Sequence, residues 1–571
     1  MKQGMSSIIC VCVFLLGTMC PLITPTVQPT LPTPTLTENF TSQANITLIF
    51  GCAGDADKLD PGDITDRESS LRTDQIFEGL VTYQRDNTLI RPCLAIYWIV
   101  SRGGTVLTFF LRHNVTFHDG TTFNATAVVF SLDRQFNQSN PYHQYGAWAY
   151  WGYLFTNIKK VQALNEYTVR IILDHPDCSI LTSLAMPAAA IVSPTNAQHW
   201  GADAYKHPCG TGPFQFVEWL PDDHITLTKN LQYWDGPPLG IDTLIFKVIF
   251  NPTTRLQELQ NNTIQGVEYP DPTTFDDIQT DQNLSLLVGP SMNIGFLAMN
   301  NGYGYEDTNH NGKHDRNEPW ETTPGYCKPL TNRKVRQAIN YAINKTAIIA
   351  LYQETADTVV NGMPPYMLGY NDNIKNYPYD PDMARQLLTQ AGYPQGFNTT
   401  LWVMPVSRPY MFDPMKIGEA IQSYLAAVNI TVDLFQIDWS TYLERTQAGE
   451  HPLCLLGWTG DNGDPDNFMN VLYGANHCNL GNATNFAFYR NPVVQLLFTA
   501  AIHTHHDWQR TILYRIAQRI IHWDAPFVYL ASGNQHLAFR ATVKGFIINP
   551  AERFFFHQVR FENYNHTGAL L

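Results

Sequence analysis

The sequence predicts an α/β protein, for three reasons. Segments with the period of a strand recur between segments with the period of a helix along most of the chain. The 571 residues suffice for several domains or for one large two-lobed body. An apolar content of 44% supplies a substantial core. No internal repeat is found, so the strands and helices belong to one non-repetitive architecture.

The elements of the first half begin at Asn45. The segment "DTLIFKVIF" is apolar on both faces, which is typical of a strand in a buried mixed sheet. The full series is "ANITLIFG" as a strand, "RTDQIFEGLVTY" as a helix leading into a strand, "TVLTFFLRHNVTFHDG" as two short strands with a turn at Asp119-Gly120, "NATAVVFSLDRQF" as a helix capped by Asn124 or Thr126, and "YTVRIIL" and "DTLIFKVIF" as strands.

The second half contains longer helices. "NRKVRQAINYAINKTAIIALY" predicts one helix with Val335, Ile339, Ala342 and Ile343 on a single face. "DPMKIGEAIQSYLAAVNI" predicts a second helix, and "ITVDLFQIDW" a strand directly after it, so this region is βαβ-like. "DWQRTILYRIAQRIIHWDAP" predicts a late helix that ends before Pro526.

The N-terminus predicts export. One lysine precedes a short apolar run from Ile8 to Leu16, so residues 1–20 are interpreted as a signal peptide or lipoprotein-like leader. Residues 21–44 form a Pro/Thr-rich linker that cannot build a core. Lipid anchoring through Cys20, a retained signal anchor and free release all stay open. The expected location is periplasmic, cell-surface or membrane-anchored outside the cell.

Charge and cysteine content limit the function classes. The net charge is -14 and only 15% of residues are charged, so no basic stripe is available to meet nucleic-acid phosphates. Seven cysteines follow the leader without a CxxC or Cys/His metal spacing. In an exported chain some of them are expected to pair, with at least one left free because the count is odd.

The stretch "GWTGDNGDPDNF", from Gly457 to Phe468, concentrates carboxylates at Asp461, Asp464 and Asp466. A pair of glycosidase acids, a metal loop, a grip for a cationic ligand and a solvated turn are the alternatives. Pro465 and the missing Glu break metal-loop spacing, and no nucleophile elbow, HExxH or phosphate loop supports an enzyme. Because the apolar strand "CLLGW" precedes the acids, they lie at a strand end, where open α/β sheets bind ligands.

A second acidic stretch, "DTNHNGKHDRNE", has the spacing of a calcium loop. Gly312 stands at the sixth position, where a sharp turn is needed. His314 replaces the apolar residue usual at position eight, and Pro319 follows directly, so we expect a lone structural Ca²⁺ loop with no organic cofactor. The expected ligands are Asp307, Asn309, Asn311, the backbone carbonyl of Lys313, Asp315 and Glu318. A polar surface turn is the alternative.

Several long blocks resemble one family, the extracellular solute-binding proteins (family 5) of peptide and nickel ABC importers. They are "VTFHDGTTFNATAVVFSLDR", "GTGPFQFVEWLPDDHITLTKNLQYWDGPPLGIDTLIFKVI" and "PLTNRKVRQAINYAINKTAI", and together the resemblance covers nearly all of residues 45–562. "RQFNQSNPYH", "WVMPVSRPY" and "GEHPLCLLGWTGDNGDPDNF" are similar to the dipeptide-binding branch in particular. Cys52 and Cys478 lie near paired cysteines of that branch, but their expected partners are absent.

The resemblance implies a periplasmic-binding-protein type II fold, the large three-domain bilobal "Venus flytrap" of cluster C, which encloses its ligand by hinge closure. It also implies short peptides and importer permease subunits as partners, with the receptor acting as a monomer. The implied domains are domain I at 45–83, 207–290 and 530–571; domain II, inserted at 84–206; and domain III at 291–529, with the calcium-loop insertion at 301–328.

The resemblance also implies the ligand contacts. In the dipeptide branch the first Asp of the acidic motif meets the peptide ammonium, which carries over to Asp461, and the Arg of "MPVSRPY" meets the carboxylate, which carries over to Arg408. A dipeptide separates these charges by at most about 7 Å, and a dry cleft must oppose both. Tyr410, Trp458 and Gly460 are expected beside the ligand, although Tyr410 and Trp458 can equally be core.

Three functions remain in competition at this point. A receptor for dipeptides or short peptides is favoured by the joint presence of Asp461 and Arg408, which suits a zwitterion. A receptor for a nickel chelate, haem or an oligosaccharide is possible because the fold does not fix the ligand. An enzyme is disfavoured by the absence of any recognisable catalytic set of residues.

Overall fold

The structure, a computed structural model, describes residues 45–562. The predicted leader at 1–20 and linker at 21–44 lie outside the described residues. Within the described part, every helix is too short or too polar to cross a bilayer.

The strands are short, with one exception, the long strand β20 near the C-terminus. In chain order they are β1 (Thr47–Cys52), β2 (Val81–Tyr83), β3 (Ile90–Pro92), β4 (Ala95–Ser101), β5 (Val106–Leu111), β6 (Ile158–Asn165), β7 (Thr168–Leu173), β8 (Phe214–Leu220), β9 (His224–Lys229), β10 (Thr243–Val248), β11 (Gly266–Glu268), β12 (Leu284–Pro290), β13 (Asn293–Met299), β14 (Tyr303–Gly304), β15 (Glu321–Thr322), β16 (Ala356–Asp357), β17 (Phe397–Trp402), β18 (Ile430–Phe435), β19 (Leu453–Thr459), β20 (Phe527–Arg540), β21 (Val543–Lys544) and β22 (Arg560–Phe561).

The helices alternate with these strands. In chain order they are α1 (Arg67–Ile76), α2 (Ala125–Phe136), α3 (Trp151–Leu154), α4 (Ile180–Ser183), α5 (Pro194–Trp200), α6 (Pro252–Gln260), α7 (Phe275–Thr280), α8 (Arg333–Ala342), α9 (Lys345–Ile349), α10 (Pro381–Gln390), α11 (Pro414–Ala426), α12 (Trp439–Gln447), α13 (Asp466–Tyr473), α14 (Pro492–Ile502) and α15 (Asp507–Asp524).

One strand joins the two halves of the molecule. The large sheet has the order β18-β17-β19-β13-β20-β11-β1-β10-β9-β8, with β12 and β16 also paired to β20. The first part of β20 pairs with β13, and its last part pairs with β11 and β12. We call residues 45–290 and 534–562 lobe 1 and residues 293–531 lobe 2. The chain therefore crosses between the lobes at 291–292 and 532–533, beside one another in the sheet.

Three large hydrophobic cores support the lobes. One fills lobe 2 from Met292 to Ala531, one fills the region from Leu80 to Cys209, and one packs around β1 from Leu48 to Val559. The region from Leu80 to Cys209 carries its own sheet, in the order β4-β5-β7-β6. The exact domain boundaries stay predictions.

Most predicted elements are present. Asn124 caps α2 by accepting from the backbone N–H groups of Thr126 and Ala127, and α11 connects two parallel strands, β17 and β18. The second strand predicted after β5 is wrong, because Asn114 has a left-handed backbone (φ 61°) and residues beyond it form only an isolated bridge, Thr116 to Thr122, around the predicted turn.

The single helix predicted from Asn332 is also wrong in its length. Ile343 has an extended backbone and ends α8, and the Asn344 side chain then accepts from the N–H of Ala347 to begin α9. The predicted apolar face is nevertheless buried, including Val335 and Ile339. An asparagine that starts a new helix was interpreted as a helix-interior residue.

The expectation that some cysteines pair is contradicted in residues 45–562. All seven are free thiols there. They are dispersed among separate cores: Cys454 lies in the lobe 2 core, Cys209 in the core of the inserted region, Cys52 beside β10 and Cys478 in a small cluster with Tyr305. These four thiols lie in four different clusters, so the packing brings no two of them together.

Candidate functional site

A cleft with a cavity of about 360 Å³ lies where the two lobes meet. This volume is within the range of small-molecule sites. Both lobes and the first crossing segment, residues 291–292, contribute to its wall. The lining residues are Ile64–Arg67, Ser70, Asp74, Tyr150, Met186–Ala188, Tyr269, Ser291, Met292, Pro409, Thr459–Asp461 and Pro550–Arg553.

Asp461 supplies an uncompensated carboxylate to the cleft. It follows the end of β19, as the sequence predicted, and its Oδ2 accepts a hydrogen bond of 3.1 Å from the Asn467 side chain. The same Asn467 accepts from the backbone N–H of Asp461 at 2.9 Å, which fixes the loop. Burial raises the pKa of the Asp461 carboxyl, and the Asn467 hydrogen bond opposes that rise only in part. A partly buried carboxylate without an ion pair can bind a cation.

Gly460 brings the loop close to the crossing strands. Its N–H donates to the carbonyl of Met292 at 2.6 Å, and a Cβ at this position would lie 2.4 Å from the ring of Phe468. No larger residue fits here without movement of that ring. Gly460 therefore allows the end of β19, and Asp461 after it, to lie against the wall of the cleft.

The other two acids of the motif turn away from the cavity. Asp464 Oδ1 accepts from Arg510 Nη2 at 2.7 Å, and both side chains are almost fully buried. Burial, together with the neighbouring Asp464 and Asp177, raises the pKa of Asp466 to about 7. These groups hold the loop and the start of α13 on α15, so their role in the structure is packing and electrostatic.

Trp458 and Tyr410 do not line the cavity. Trp458 is half-buried and its indole N–H donates to Asn467 at 3.3 Å. Tyr410 is buried beneath β13 and β19, where a Cβ on Gly457 would lie 2.2 Å from its ring. Burial raises the pKa of Tyr410 to about 12. Both aromatic residues support the strands behind Asp461.

Arg408 lies beside the cleft but outside its lining. Its side chain is exposed and its guanidinium stacks 5.1 Å from the ring centroid of Trp439. Backbone hydrogen bonds between Arg408 and Met411 hold the turn that presents Pro409 to the cavity. The structure thus brings Asp461 and Gly460 together at the cleft and leaves Arg408 at its edge on lobe 2.

Two arginines that the sequence analysis missed do line the cleft. Arg67 pairs with Glu268 at 2.5 Å and also with Glu552, and its guanidinium lies 4.8 Å from the ring centroid of Tyr269. Arg553 pairs with Asp74 at 2.5 Å. Burial raises the pKa of Asp74 to about 6, and Arg553 acts against that rise. Nothing in the sequence marks these pairs, since their partners are distant along the chain.

The predicted calcium loop forms a compact turn. Gly312 has a φ of 72°, so the sixth position makes the predicted sharp turn. The Asp307 carboxylate accepts from the N–H groups of Asn311 at 3.1 Å and Gly312 at 2.7 Å. The N–H of Lys313 donates to Asn311 Oδ1 at 2.9 Å. The loop backbone therefore wraps around its own acidic side chains.

The remaining predicted ligands also meet within the loop. Glu318 is buried and accepts from the N–H groups of Thr308 and Asp315, both at 2.8 Å. The side-chain amides of Asn309 and Asn311 donate to Asp315 Oδ2 at 2.6 and 2.8 Å. Across residues 45–562, no three His, Cys, Asp or Glu side chains are arranged in a metal-binding group, and this includes the loop's three carboxylates.

His314 takes the packing role usual for the apolar eighth residue. Its ring stacks on Trp320, with centroids 4.2 Å apart, and meets the edge of Tyr305. Its Nε2 is 2.8 Å from the carbonyl of Glu318. The loop is thereby fixed to the small core of Tyr305, Cys478, Ala483 and Phe488.

Comparison with known proteins agrees with this architecture. The family model described as bacterial extracellular solute-binding proteins, family 5 middle, matches residues 90–479. The chain is 35% identical to the dipeptide-binding protein of Escherichia coli over 85% of this chain and 89% of that protein. It is 33% identical to haem-binding protein A of Haemophilus influenzae over 89% of this chain and 91% of that protein.

A solved structure is similar in fold. The ABC transporter-associated periplasmic binding protein DppA from Helicobacter pylori, in complex with the peptide STSA, is 33% identical, with a TM-score of 0.68 over 90% of this chain and 98% of that chain. The predicted type II periplasmic-binding-protein fold, mixed α/β around a large sheet, is therefore confirmed. The chain belongs to the bacterial extracellular solute-binding proteins of family 5.

Proposed function

We propose that the protein is the extracellular receptor of an ABC importer and captures dipeptides or short peptides between its lobes. The observation that carries the proposal is the partly buried Asp461 carboxylate, which has Asn467 as its side-chain partner, makes no ion pair within residues 45–562 and lines a cleft between two lobes. A peptide ammonium supplies the missing charge. The names of the Escherichia coli relative and of the Helicobacter pylori complex support the same ligand class.

In this proposal Arg408 meets the peptide carboxylate. Its fork pairs bidentately with a carboxylate, and it is exposed at the edge of the cleft on lobe 2. Closure of the two lobes would bring the Arg408 guanidinium over the ligand. Gly460 allows the loop to approach the peptide, and Tyr410 and Trp458 stiffen the strands behind it.

Native mass spectrometry of the purified protein tests the ligand class. Captured ligand would add mass, and the expected increments are those of peptides of two to four residues. An increment that matches haem, a nickel chelate or a sugar would contradict the proposal, and a relative named as haem-binding makes that comparison informative.

Closure is expected to compact the molecule. A ligand that bridges both lobes favours the closed arrangement over one hinged apart. Small-angle X-ray scattering should therefore give a smaller radius of gyration with saturating dipeptide than without it. The Asp461→Asn variant at the same peptide concentration is the control and should keep the larger radius. An unchanged radius for the wild type at saturation would contradict the two-lobed mechanism.

We also propose that residues 307–318 bind one structural Ca²⁺. The ligands would be Asp307, Asn309, Asn311, the carbonyl of Lys313, Asp315 and Glu318, at the spacing that calcium loops use. The turn at Gly312 and the buried Glu318 support this assignment. The two Asn amides, which now donate to Asp315, would have to turn their oxygens toward the ion.

Calcium is therefore expected to stabilise the protein against heat. A ligand at 100 times its Kd stabilises the folded state by about 2.7 kcal/mol, and three carboxylates in one loop repel one another without a cation. Melting should occur at a higher temperature in calcium than in chelator for the wild type, and this difference should vanish in Glu318→Ala. Glu321→Ala, a nearby exposed carboxylate, should behave as the wild type. Equal melting of the wild type in calcium and chelator would remove the site.

The family to which the chain belongs is extracellular, so the protein is exported, and where it is held after export is a proposal. We propose that the chain acts as a monomer outside the cytoplasmic membrane, where it is periplasmic, at the cell surface or membrane-anchored, with anchoring through Cys20, a signal anchor and free release as the alternatives. It would deliver its peptide to membrane permease subunits. No nucleic-acid partner is proposed.

A further inference from the structure

The cleft is lined by more acidic than basic side chains. Three of the carboxylates and both guanidiniums come from the α1 region and the C-terminal segment of lobe 1, and one carboxylate comes from lobe 2. The charged lining residues are Asp66, Arg67, Asp74, Asp461, Glu552 and Arg553. Acidic groups therefore outnumber basic ones by two. If Arg408 is counted with them, the acidic groups still exceed the basic ones.

Both guanidiniums are already neutralised. Arg67 is shared between Glu552 and the buried Glu268 behind it. Arg553 is paired with Asp74, whose Oδ1 is buried without a hydrogen-bond partner. In the described part of the chain, no other Lys or Arg lines the cavity. An anionic group of a ligand finds no spare cation inside the cleft.

Two carboxylates remain without an ion pair, one from each lobe. Asp66 begins α1 and accepts one hydrogen bond, of 2.6 Å, from the N–H of Ser69. Asp461 has only Asn467 as a partner. Tyr150 also lines the cleft. Burial raises the pKa of its phenol to about 12, and the negative charges of Asp461 and then Asp66 add to this rise. The two acids thus act on one region of the cavity.

We propose that the cleft selects peptides that carry a positively charged side chain, with Asp461 meeting the ammonium and Asp66 meeting the side chain. The proposal rests on the proposed function and specifies its substrate class. A peptide with a neutral side chain brings no net charge, so closure over it leaves the surplus carboxylate desolvated without a partner. A lysine or arginine side chain supplies that partner, and the ring of Tyr150 offers a face to the same cation.

Calorimetry with matched dipeptides tests the proposal. The panel is Ala-Lys and Lys-Ala, the same peptides with norleucine in place of lysine, and Ala-Glu. We expect the lysine peptides to bind about tenfold or more tightly than the norleucine peptides, and Ala-Glu to bind most weakly. Salt should reduce the lysine preference more than it reduces the affinity for the norleucine peptides.

The Asp66→Asn variant tests the assigned residue. Asparagine caps a helix as well as aspartate does, so α1 should remain intact. The variant should lose the preference for lysine, because its affinity for the lysine peptides falls while its affinity for the norleucine peptides stays the same or rises, since no unpaired carboxylate is then desolvated. Asp380→Asn removes an acidic helix cap outside the cleft and should retain the wild-type preference. A thermal melt of each variant checks folding independently of binding.

The outcomes separate the two proposals. Equal affinity for lysine and norleucine peptides would overturn the charge preference and leave the peptide receptor intact. A preference that survives in Asp66→Asn would overturn the assignment of Asp66. If no dipeptide of any charge binds, or if 1,4-diaminobutane binds as tightly as Lys-Ala, the peptide-receptor function itself is overturned.

Discussion

Replacing Asp461 with alanine is expected to weaken the binding of a free dipeptide by ~30-fold or more. Removing one partner of a buried, hydrogen-bonded charge pair costs about 2–5 kcal/mol, because the other charge is left desolvated. In the proposed complex Asp461 and the peptide ammonium form such a pair, because the only side chain that donates to the Asp461 carboxylate in the described residues is the neutral Asn467. Isothermal calorimetry on the wild type and the variant measures the loss directly.

The matching change in the ligand should have the same effect. An N-acetylated dipeptide lacks the ammonium and should lose comparable affinity for the wild type but little more for Asp461→Ala. Asp433→Ala, an exposed carboxylate on β18, is the control and should bind as the wild type does. Equal binding of the free and acetylated peptides to the wild type would disprove the contact.

The affinity should also depend on pH in a definite direction. Burial raises the pKa of Asp461 in the free protein, and a bound ammonium favours the ionised carboxylate. Peptide binding should therefore weaken as the pH falls through that raised pKa, with proton release on binding in the same range. Asp461→Ala should lose this dependence.

Local patterns were enough to predict most of the framework. The apolar run "CLLGW" predicted β19, and because the acids that follow it lie at the end of that strand, the sequence places Asp461 at the cleft. Helix α11 and the strand after it, β18, were predicted in the same way, whereas β17, which pairs with β18 in parallel, corresponds to no segment predicted as a strand. These features depend on residues that are close together in the chain.

Features that depend on distant residues were not predictable. Arg67 meets Glu268 and Glu552, which are 201 and 485 residues further along the chain, and no spacing rule connects them. The orientation of Arg408 depends on whether its guanidinium stacks on Trp439 or faces the cleft, which the sequence does not specify. The break between α8 and α9 depends on one capping bond of Asn344, a residue that helices also tolerate in their interior.

Replacing Arg510 with methionine is expected to destabilise the fold by about 3–5 kcal/mol. Its side chain and that of Asp464 are 5% and 1% exposed, so removal of the guanidinium leaves a buried carboxylate without its counter-charge. Asp466 lies beside the same pair, and Arg510, followed by the hydrogen bond from Asn470, lowers its pKa against burial and its acidic neighbours. Urea unfolding monitored by tryptophan fluorescence should show the loss at neutral pH.

The same α15 helix provides a matched control. Arg515 pairs with Asp372 at 3.2 Å, with side chains 42% and 76% exposed, and exposed pairs contribute about 0–1 kcal/mol. Arg515→Met should therefore change the unfolding midpoint little. The double variant Arg510→Met/Asp464→Asn should recover part of the loss, because it no longer buries the unpaired charge. Equal destabilisation by Arg510→Met and Arg515→Met would show that the buried ion pair contributes no more to stability than the exposed one.

The destabilisation by Arg510→Met should shrink as the pH falls. The pKa of Asp466 is about 7 in the folded protein and near its ordinary value of 3.8 when unfolded. When folding raises the pKa of a carboxyl, its contribution to the free energy of unfolding is most favourable below the pKa of the unfolded state. This contribution is lost as the pH rises through the pKa of the folded state. Without Arg510 the pKa of Asp466 should rise further, so the free energy of unfolding of the variant should lie furthest below that of the wild type at pH 8 and closer to it at pH 5.5. A pH-independent difference between the two proteins would mean that Arg510 acts through packing alone, with its charge irrelevant to the loop that carries Asp461.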